Sequence, residues 1–252
     1  MRTIAFASIK GGVGKTTLAV HTAAALATSD KPCLLLDLDP QAHAGAMAGV
    51  EIEPDGPCVA DAFGPRPRRG LAELLQPAAT ENLTVAPASP RMTGLERDLF
   101  RWGHRLQAVP RALARLEATF AALVIDTPPQ LNAYTEAALA CADAVVVPVP
   151  AMAHALQGLD EIRAAHLDVS DARGGPMAAV VNLWDRRTSA TNTAMDEAFG
   201  ELELPVLRTR IPRAEVLNQA GLAYQLVFDF APASPVAEQL RKLARELWRL
   251  AG

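Results

Sequence analysis

One glycine- and lysine-rich stretch near the start of the chain constrains the fold more than any other feature. It directly follows the apolar run Ile4–Ala7 and precedes a segment of helical character. A strand, a glycine loop and a helix in this order can hold phosphate groups, because backbone N–H groups turn inward around anionic oxygens and the helix N-terminus adds partial positive charge. We therefore expect this loop to bind the phosphates of a nucleotide. It consists of Lys10, Gly11, Gly12, Val13, Gly14, Lys15, Thr16 and Thr17.

Two side chains of the loop stand where specific roles are expected. Lys15 has the position to reach the β- and γ-phosphates, and the Thr16 hydroxyl has the position to bind Mg²⁺. The ordinary phosphate-loop pattern also requires a glycine five residues before Gly14, but Ile9 occupies that place and is followed by a second lysine, Lys10. This departure from the ordinary phosphate-loop pattern restricts the possible functions of the chain more than its match to the rest of the pattern does.

The rest of the chain alternates short apolar segments with longer helical ones. This pattern is typical of an α/β fold, doubly wound, with a mostly parallel sheet and helices on both faces. We expect residues 1–252 to form a single domain, with residues 51–70 as a surface excursion. The expected strands are Thr3–Ser8, Cys33–Asp37, Leu83–Ala86, Ala122–Asp126, Ala144–Pro148, Ala178–Asn182 and Val206–Thr209. Helices are expected to begin at Lys15, Gly70, Thr93, Leu131, Ala155, Thr188, Arg213 and Ser234.

Composition argues against several classes of protein. The net charge of −4 at pH 7 gives no general attraction to nucleic acid or anionic lipid, so any such contact requires a local patch. The three cysteines and five histidines show no spacing typical of metal ligands. No apolar run approaches the ~18–20 residues of a membrane span, and no signal peptide is recognisable. We expect a soluble cytoplasmic protein.

Two acidic motifs follow predicted strands at the edge where doubly wound sheets bind their ligands. Asp37 and Asp39 belong to the motif Leu34–Gln41, and Asp126 belongs to the motif Leu123–Pro129. An aspartate that ends an apolar strand is typical of a Walker B residue, which orients Mg²⁺ through its bound water. Asp126 fits this role. The alternative is that these aspartates only cap the turns that follow their strands.

The glycine loop and the two acidic motifs together resemble the deviant Walker A, Walker A′ and Walker B motifs of the ParA/Soj partition ATPases, within the wider ParA/MinD superfamily. Further blocks resemble this family in the same order along the chain, at residues 70–75, 86–89, 155–159, 185–188 and 209–213. The resemblance implies a P-loop ATPase that uses ATP and Mg²⁺. It also implies a homodimer in which two subunits close face to face over two ATP molecules.

The resemblance assigns a role to the polar residues of the loop. Lys10 would reach across the dimer to the phosphates bound by the other subunit, so that hydrolysis depends on assembly. Lys15 would bind the nucleotide of its own subunit, Thr16 would bind Mg²⁺, and Thr17 would contact a phosphate oxygen. These roles explain why a second lysine stands in the loop.

The resemblance extends to residues at the ends of other strands. Asp39 matches the family's water-positioning aspartate, with Asp37 in support. Asn182 and Pro212 lie where the family contacts adenine, although Asn182 is equally suited to capping a helix. Ala214 stands where relatives often have asparagine, so a side-chain contact with adenine is not expected there.

ParA-type dimers bind DNA without sequence preference through basic side chains. Arg187 matches a family arginine with this role, whereas Val216 replaces a second arginine that is common in the Soj group. Other basic residues would then supply the contact, and the candidates are Arg208, Arg210, Arg213, Arg241 and Arg245. The alternative for the last helix is a solvated face formed by Arg241, Arg245 and Arg249. A similar stripe is formed by Arg97, Arg101 and Arg105.

The function implied by the resemblance is a slow ATPase that binds nucleoid DNA and positions a chromosome, a plasmid or a protein cluster. A ParB-like or other adaptor protein would stimulate hydrolysis. One alternative is a metabolic P-loop enzyme, for which the sequence shows no second substrate site. The other is a MinD-like membrane-associated ATPase. That role would require the last helix to leave the core, because no further amphipathic segment precedes Gly252.

Overall fold

A seven-stranded sheet forms the centre of the computed structural model, in which residues 1–64, 66–152, 156–169, 175–185, 187–201 and 204–252 are described. Its strands are β1 Arg2–Phe6, β2 Cys33–Asp37, β3 Gln76–Pro77, β4 Leu83–Ala86, β5 Ala122–Asp126, β6 Ala144–Pro150 and β7 Met177–Asn182. Their order in the sheet is β3-β4-β2-β5-β1-β6-β7. Among these strands only β3 is antiparallel to its neighbour. The predicted doubly wound fold is confirmed.

Helices cover both faces of the sheet. They are α1 Lys15–Leu26, α2 His43–Met47, α3 Met92–Arg101, α4 Ala108–Leu113, α5 Ala133–Cys141, α6 Leu159–Val169, α7 Ser189–Glu201, α8 Glu215–Leu222, α9 Val227–Phe230 and α10 Pro235–Leu250. Short 3₁₀ helices lie at Val59–Ala62, Leu71–Leu74 and Arg105–Gln107. Among the described residues, every helix is too short or too polar to cross a lipid bilayer.

The predicted strand Val206–Thr209 is wrong. Val206 forms only an isolated parallel bridge with Ala179 of β7. The Leu207 N–H still donates to the Ala179 carbonyl at 2.8 Å, but the N–H groups of Arg208 and Thr209 donate hydrogen bonds of 2.8 and 3.0 Å to the Glu246 carboxylate of α10. A side chain therefore takes the bonds that a further strand would have made.

Three predicted helix starts also differ from the structure, and one of them is Arg213, because α8 begins two residues later, at Glu215. The segment expected to start a helix at Gly70 forms only the 3₁₀ helix Leu71–Leu74. Helix α5 begins two residues later than expected, because the Asn132 side chain caps it and accepts hydrogen bonds from the N–H groups of Tyr134 and Thr135. The predicted helix start at Ala155, and Arg186 in the block 185–188, lie outside the described residues.

The centre of the predicted surface excursion 51–70 is buried. Cys58 and Val59 are completely buried, and Phe63 is nearly so. The buried Asp61 carboxylate accepts hydrogen bonds from the Cys58 N–H at 3.0 Å and from the Arg91 guanidinium. A composition rich in proline, glycine and arginine suggested a solvated loop, but this ion pair and the apolar neighbours fold the segment onto the core.

The sheet separates two apolar layers because successive strand residues point to opposite faces. Ile4 and Phe6 of β1 belong to the apolar layer that includes residues of α1, α8 and α10, whereas Ala5 belongs to the layer on the other face, with residues of α3 to α7. Burial on both sides explains why β2, β5 and β6 are apolar along almost their whole length. This layered packing fixes the positions of the carboxyl ends of β1, β2 and β5.

Helix α10 buries its apolar side against α1. Leu240, Leu243 and Leu247 are completely buried, whereas Arg245 and Arg249 on the other side are exposed. The amphipathic pattern expected for the last helix is confirmed. Since the core contains these leucines, the apolar side of α10 is covered by the protein itself.

A buried histidine connects α1 to the C-terminal part of the chain. His21 donates through Nδ1 to the Thr17 carbonyl at 2.7 Å and accepts through Nε2 from the Val227 N–H at 3.1 Å. These bonds define the neutral tautomer with its proton on Nδ1. The Phe228 ring packs edge-on against it at 5.4 Å. Burial lowers the pKa of His21 to about 4, although the Thr17 carbonyl and the Asp229 charge act in the opposite direction.

We expect the stability of the protein to fall as the pH drops below about 6.5. The unfolded His21 binds its proton near pH 6.5 and the folded one near pH 4, so its contribution is complete above this window and is lost progressively within it. The free energy of unfolding falls by about 3 kcal/mol at most. Urea unfolding at a series of fixed pH values measures the free energy of unfolding. This free energy should change less with pH in His21→Gln than in the wild type, because glutamine does not titrate although it keeps a hydrogen-bond donor and an acceptor. An unchanged pH dependence would contradict this account.

Candidate nucleotide-binding site

The glycine loop and both acidic motifs meet at the carboxyl edge of the sheet. In the parallel register Asp126 of β5 lies beside Asp37 of β2 on one side and beside Phe6 of β1 on the other. Both carboxylates are completely buried. The strand order therefore brings together motifs that are distant in the sequence, at the edge where such sheets bind ligands.

The loop between β1 and α1 depends on glycines. Gly12 and Gly14 have φ values of 73° and 86°, in the left-handed region that favours glycine, and Gly14 is the N-cap residue of α1. A side-chain carbon at Gly11 or Gly12 would have no neighbouring atom within 4 Å. This open space lets an anion approach the backbone N–H groups at the helix N-terminus.

A buried ion pair lies beneath the loop. The Lys15 Nζ atom is 3.0 Å from Oδ1 of Asp126 and also donates to the Thr127 carbonyl. The Thr16 hydroxyl donates to Oδ2 of the same carboxylate at 2.7 Å. Burial raises the pKa of Asp126, while the Lys15 charge and the Thr16 hydrogen bond favour its ionised form. The hydroxyl and carboxylate oxygens are hard ligands that suit Mg²⁺.

The first acidic motif shapes the turn from β2 to α2. Asp37 accepts hydrogen bonds from the N–H groups of Asp39 at 3.0 Å and Gly45 at 3.1 Å. Burial raises the pKa of Asp37 well above its ordinary value, and the nearby charge of Asp126 adds to this effect. The Asp39 carboxylate accepts a 3.0 Å bond from the Gln41 N–H. Both aspartates thus have a structural role here, and the catalytic role of Asp39 stays a prediction.

Ile9 and Lys10, at the start of the glycine loop, are held in place by local contacts. Ile9, which departs from the ordinary pattern, packs on Gly158 at the start of α6, where an added side-chain carbon would overlap it. The Lys10 N–H donates to the Ser8 hydroxyl at 3.2 Å, and its side chain is partly exposed. Ile9 therefore anchors the loop to the core beside the second lysine.

Asn182 makes a contact with the loop that the sequence did not predict. Its side-chain nitrogen donates to the Val13 carbonyl at 2.7 Å and is buried. The only sequence signal is that a polar residue ends β7 at the carboxyl edge of the sheet. Pro212 forms a parallel bridge with Trp184, which follows Asn182 by two residues. Adenine contact by Asn182 and Pro212 stays a prediction.

Two of the arginines predicted to contact DNA, Arg210 and Arg213, contact Trp184, and a third, Arg187, binds the next residue, Asp185. The Arg210 guanidinium lies 4.2 Å from the centre of the Trp184 ring and pairs with Asp196 at 2.6 Å. The exposed Arg213 donates its N–H to the Trp184 carbonyl at 2.9 Å. Arg187 follows Trp184 closely in the chain. The structure thus brings Arg187, Arg210 and Arg213 to one region.

Arg187 is highly exposed, with 87% of its side chain accessible, more than any other arginine in the ion pairs of the described residues. It binds the Asp185 carboxylate through the Nε and Nη atoms, with a shortest distance of 2.7 Å. These hydrogen bonds lower the pKa of Asp185 to about 2. Val216 is partly buried and packs against the core, which explains why an apolar residue is suitable there.

The other predicted basic residues lie on or near α10. Arg241 donates to the Pro232 carbonyl at 3.0 Å and lies 4.8 Å from the centre of the Phe228 ring. Arg208 and Arg245 are exposed. Arg241 thus has a local structural contact, and DNA contact by these three residues stays a prediction.

The fold and the site together define a phosphate-loop nucleotide-binding protein. A family described as an AAA domain matches residues 1–172. The chain is 31% identical over 253 residues to the chromosome partitioning protein ParA of Myxococcus xanthus, covering 98% of this chain and 88% of that protein. It is 34% identical over 263 residues to the chromosome-partitioning ATPase Soj of Thermus thermophilus, covering 98% and 95%. The chain belongs to the ParA/Soj family.

A solved structure gives the same fold. The cobyrinic acid a,c-diamide synthase of Mycobacterium smegmatis, with a bound ATP analogue and magnesium, superimposes with a TM-score of 0.84 at 29% identity. The match covers 99% of this chain and 95% of that one. This relative shows that the fold of the chain is shared by a protein that binds an ATP analogue and magnesium.

We expect Gly14→Ala to weaken ATP binding at least about tenfold, because a left-handed non-glycine residue costs about 1–3 kcal/mol. The new side-chain carbon would also overlap the Asn182 amide nitrogen and displace it from Val13. Titration with a fluorescent ATP analogue measures the effect. Gly94→Ala on α3, where the space is open, is the matched control. Equal affinities of the two variants would contradict the assigned loop geometry.

Proposed function

We propose that this protein is an ATP-dependent partition or positioning ATPase that dimerises on ATP binding and binds DNA without sequence preference. The observation that carries the proposal is the buried cluster of Lys15, Thr16 and Asp126 beneath an open glycine loop. The family relatives named as chromosome-partitioning proteins support a role in moving a cargo. In this proposal residues 1–252 act as one cytoplasmic ATPase domain that associates with the nucleoid.

The residues beneath the loop suit ATP and Mg²⁺ as the ligands. Backbone N–H groups of residues 11–17 would bind the phosphates, and Lys15 would exchange its partners Asp126 and Thr127 for phosphate oxygens. Thr16 would bind Mg²⁺ directly and Asp126 would bind it through water. A bound Mg²⁺ neutralises phosphate charge. Asp126 keeps the Lys15 ammonium beside the loop, so only a small movement separates the two arrangements.

Hydrolysis would depend on two further residues. Asp39, beside the buried Asp37 at the end of β2, would position the attacking water. Lys10, which begins the loop, would stabilise the phosphates of the other subunit, so that only the closed dimer is active. A partner protein would then stimulate turnover and release the dimer from DNA.

The DNA contact would come from the arginines near Trp184. Arg187 and Arg210 now bind carboxylates at the surface, and exposed pairs of this kind contribute little to stability. Exchange of Asp185 for a DNA phosphate would therefore cost little free energy. Arg213, Arg208, Arg241 and Arg245 would extend the contact.

We expect the protein to bind double-stranded DNA in the presence of ATP and to release it with ADP or without nucleotide. Arg187→Glu should lower DNA affinity at least about tenfold at a fixed salt concentration, because a phosphate contact is replaced by a repulsive charge. Arg97→Glu, the same change at an exposed site on α3, is the control. Fluorescence anisotropy with a labelled duplex measures both. Equal binding in all three nucleotide conditions would overturn the proposal.

Two other functions are distinguishable from this one. The likeness to a diamide synthase favours a metabolic P-loop enzyme as the second candidate. A small metabolite that raises ATP turnover by orders of magnitude without DNA would support it. A MinD-like role on membranes that used α10 would require this helix to expose Leu240, Leu243 and Leu247, which are buried in the core.

A further inference from the structure

A cavity of about 480 Å³ lies between the 3₁₀ helix Leu71–Leu74 and helix α4. Large apolar side chains, Leu71, Trp102 and Leu116, form much of its wall. Helix α4 contributes the small residues Ala108 and Ala112, which leave space for another chain to approach closely. None of the residues that line this cavity belongs to the glycine loop or to the acidic motifs. It is therefore separate from the proposed nucleotide site.

Three exposed arginines line the same cavity. They are Arg69, Arg111 and Arg115. Arg111 binds the neutral Gln107 at 2.9 Å and lies 5.3 Å from the centre of the Trp102 ring. Within the described parts of the chain, none of the three arginines forms an ion pair. Their charges are therefore available to a ligand that brings carboxylates.

The acidic residue that lines the cavity, Glu73, already has a hydrogen-bond partner within the chain. Glu73 accepts a hydrogen bond of 2.8 Å from the Gly70 N–H at the start of the 3₁₀ helix. Its carboxylate therefore has a local structural partner. The balance of charge at the cavity is positive, since it combines one glutamate with three arginines.

The sequence concentrates positive charge around this cavity. Residues 66–73 and 98–117 contain seven of the 24 lysines and arginines and only three acidic residues, in a chain whose net charge is −4. An apolar cavity surrounded by arginines in an otherwise acidic protein indicates a surface for a negatively charged partner. Arg68 and Arg105 of these segments are paired with Asp61 and Glu136, as Arg187 and Arg210 near Trp184 are paired with aspartates. The three arginines that line the cavity differ from them in this respect.

We infer that this cavity, together with Arg69, Arg111 and Arg115, is a docking site for an acidic amphipathic helix of a partner protein. One large apolar side chain of that helix would fill the space beside Trp102, and its carboxylates would bind the arginines in the planar geometry that guanidinium groups favour. A nucleic acid fits less well, because its phosphates would leave the apolar wall uncovered. The inference is independent of the proposed ATPase cycle.

The test uses a fluorescent helical peptide with leucines on one face and glutamates beside them, and the full chain. We expect saturable binding that weakens at higher salt. Arg111→Glu combined with Arg115→Glu should lower the affinity at least about tenfold. Ala112→Phe should lower it similarly by filling the cavity while all three arginines remain. Thermal unfolding checks that each variant is folded.

Matched controls distinguish a docking site from general attraction. Arg249→Glu on α10 makes the same type of charge change at another exposed position and should leave peptide binding unchanged. A peptide with lysines in place of the glutamates should not bind. No saturable binding up to about 1 mM, equal losses in Arg249→Glu, or unchanged binding in Ala112→Phe would overturn the inference. Binding of a single-stranded oligonucleotide in preference to the peptide, lost in the double arginine variant, would assign the surface to nucleic acid instead.

The result of the peptide-binding test can be distinguished from the result of the tests of the proposed function. ATP binding and ATP-dependent DNA retention are measured on the same variants. Loss of peptide binding with unchanged ATP binding supports a separate site. If the wild-type chain binds the peptide but neither ATP nor DNA, the proposed function fails and the docking site stands.

Discussion

The contact between Lys15 and Asp126 is the interaction on which the site depends. It joins the first turn of α1 to the end of β5 in a buried environment, where an unpaired charge of either sign would be costly. Thr16 completes the cluster through the second carboxylate oxygen. The same interaction holds the loop above the carboxyl edge of the sheet and places an ammonium group and two hard oxygen ligands together.

Most of the fold could be predicted from the sequence because its strongest signals are local. The predicted strands β2, β4 and β5 match residue for residue, since each is a short, mostly apolar run that is buried along all or most of its length. The loop and its following helix were equally clear, because glycines with positive φ and a helix N-terminus leave a recognisable pattern.

The errors arose where a tertiary contact replaced a local preference. The Glu246 carboxylate takes the N–H groups of a predicted strand, and the Asp61–Arg91 pair draws a proline- and arginine-rich segment onto the core. The hydrogen bond from Asn182 to Val13 joins two distant segments and has no signature in the sequence except a polar residue at a strand end. Such contacts depend on the assembled sheet, so only the structure reveals them.

We propose that the second lysine, Lys10, makes this ATPase a nucleotide-dependent dimer, in which Lys15 binds the nucleotide of its own subunit and Lys10 that of the other. Sedimentation velocity in the presence of Mg²⁺ measures this dimerisation. We expect the wild-type chain to sediment as a dimer with a non-hydrolysable ATP analogue and as a monomer with ADP. We expect Lys10→Ala to bind the analogue but to dimerise less. The same sedimentation coefficient with both nucleotides, or undiminished dimerisation of Lys10→Ala, would contradict this proposal.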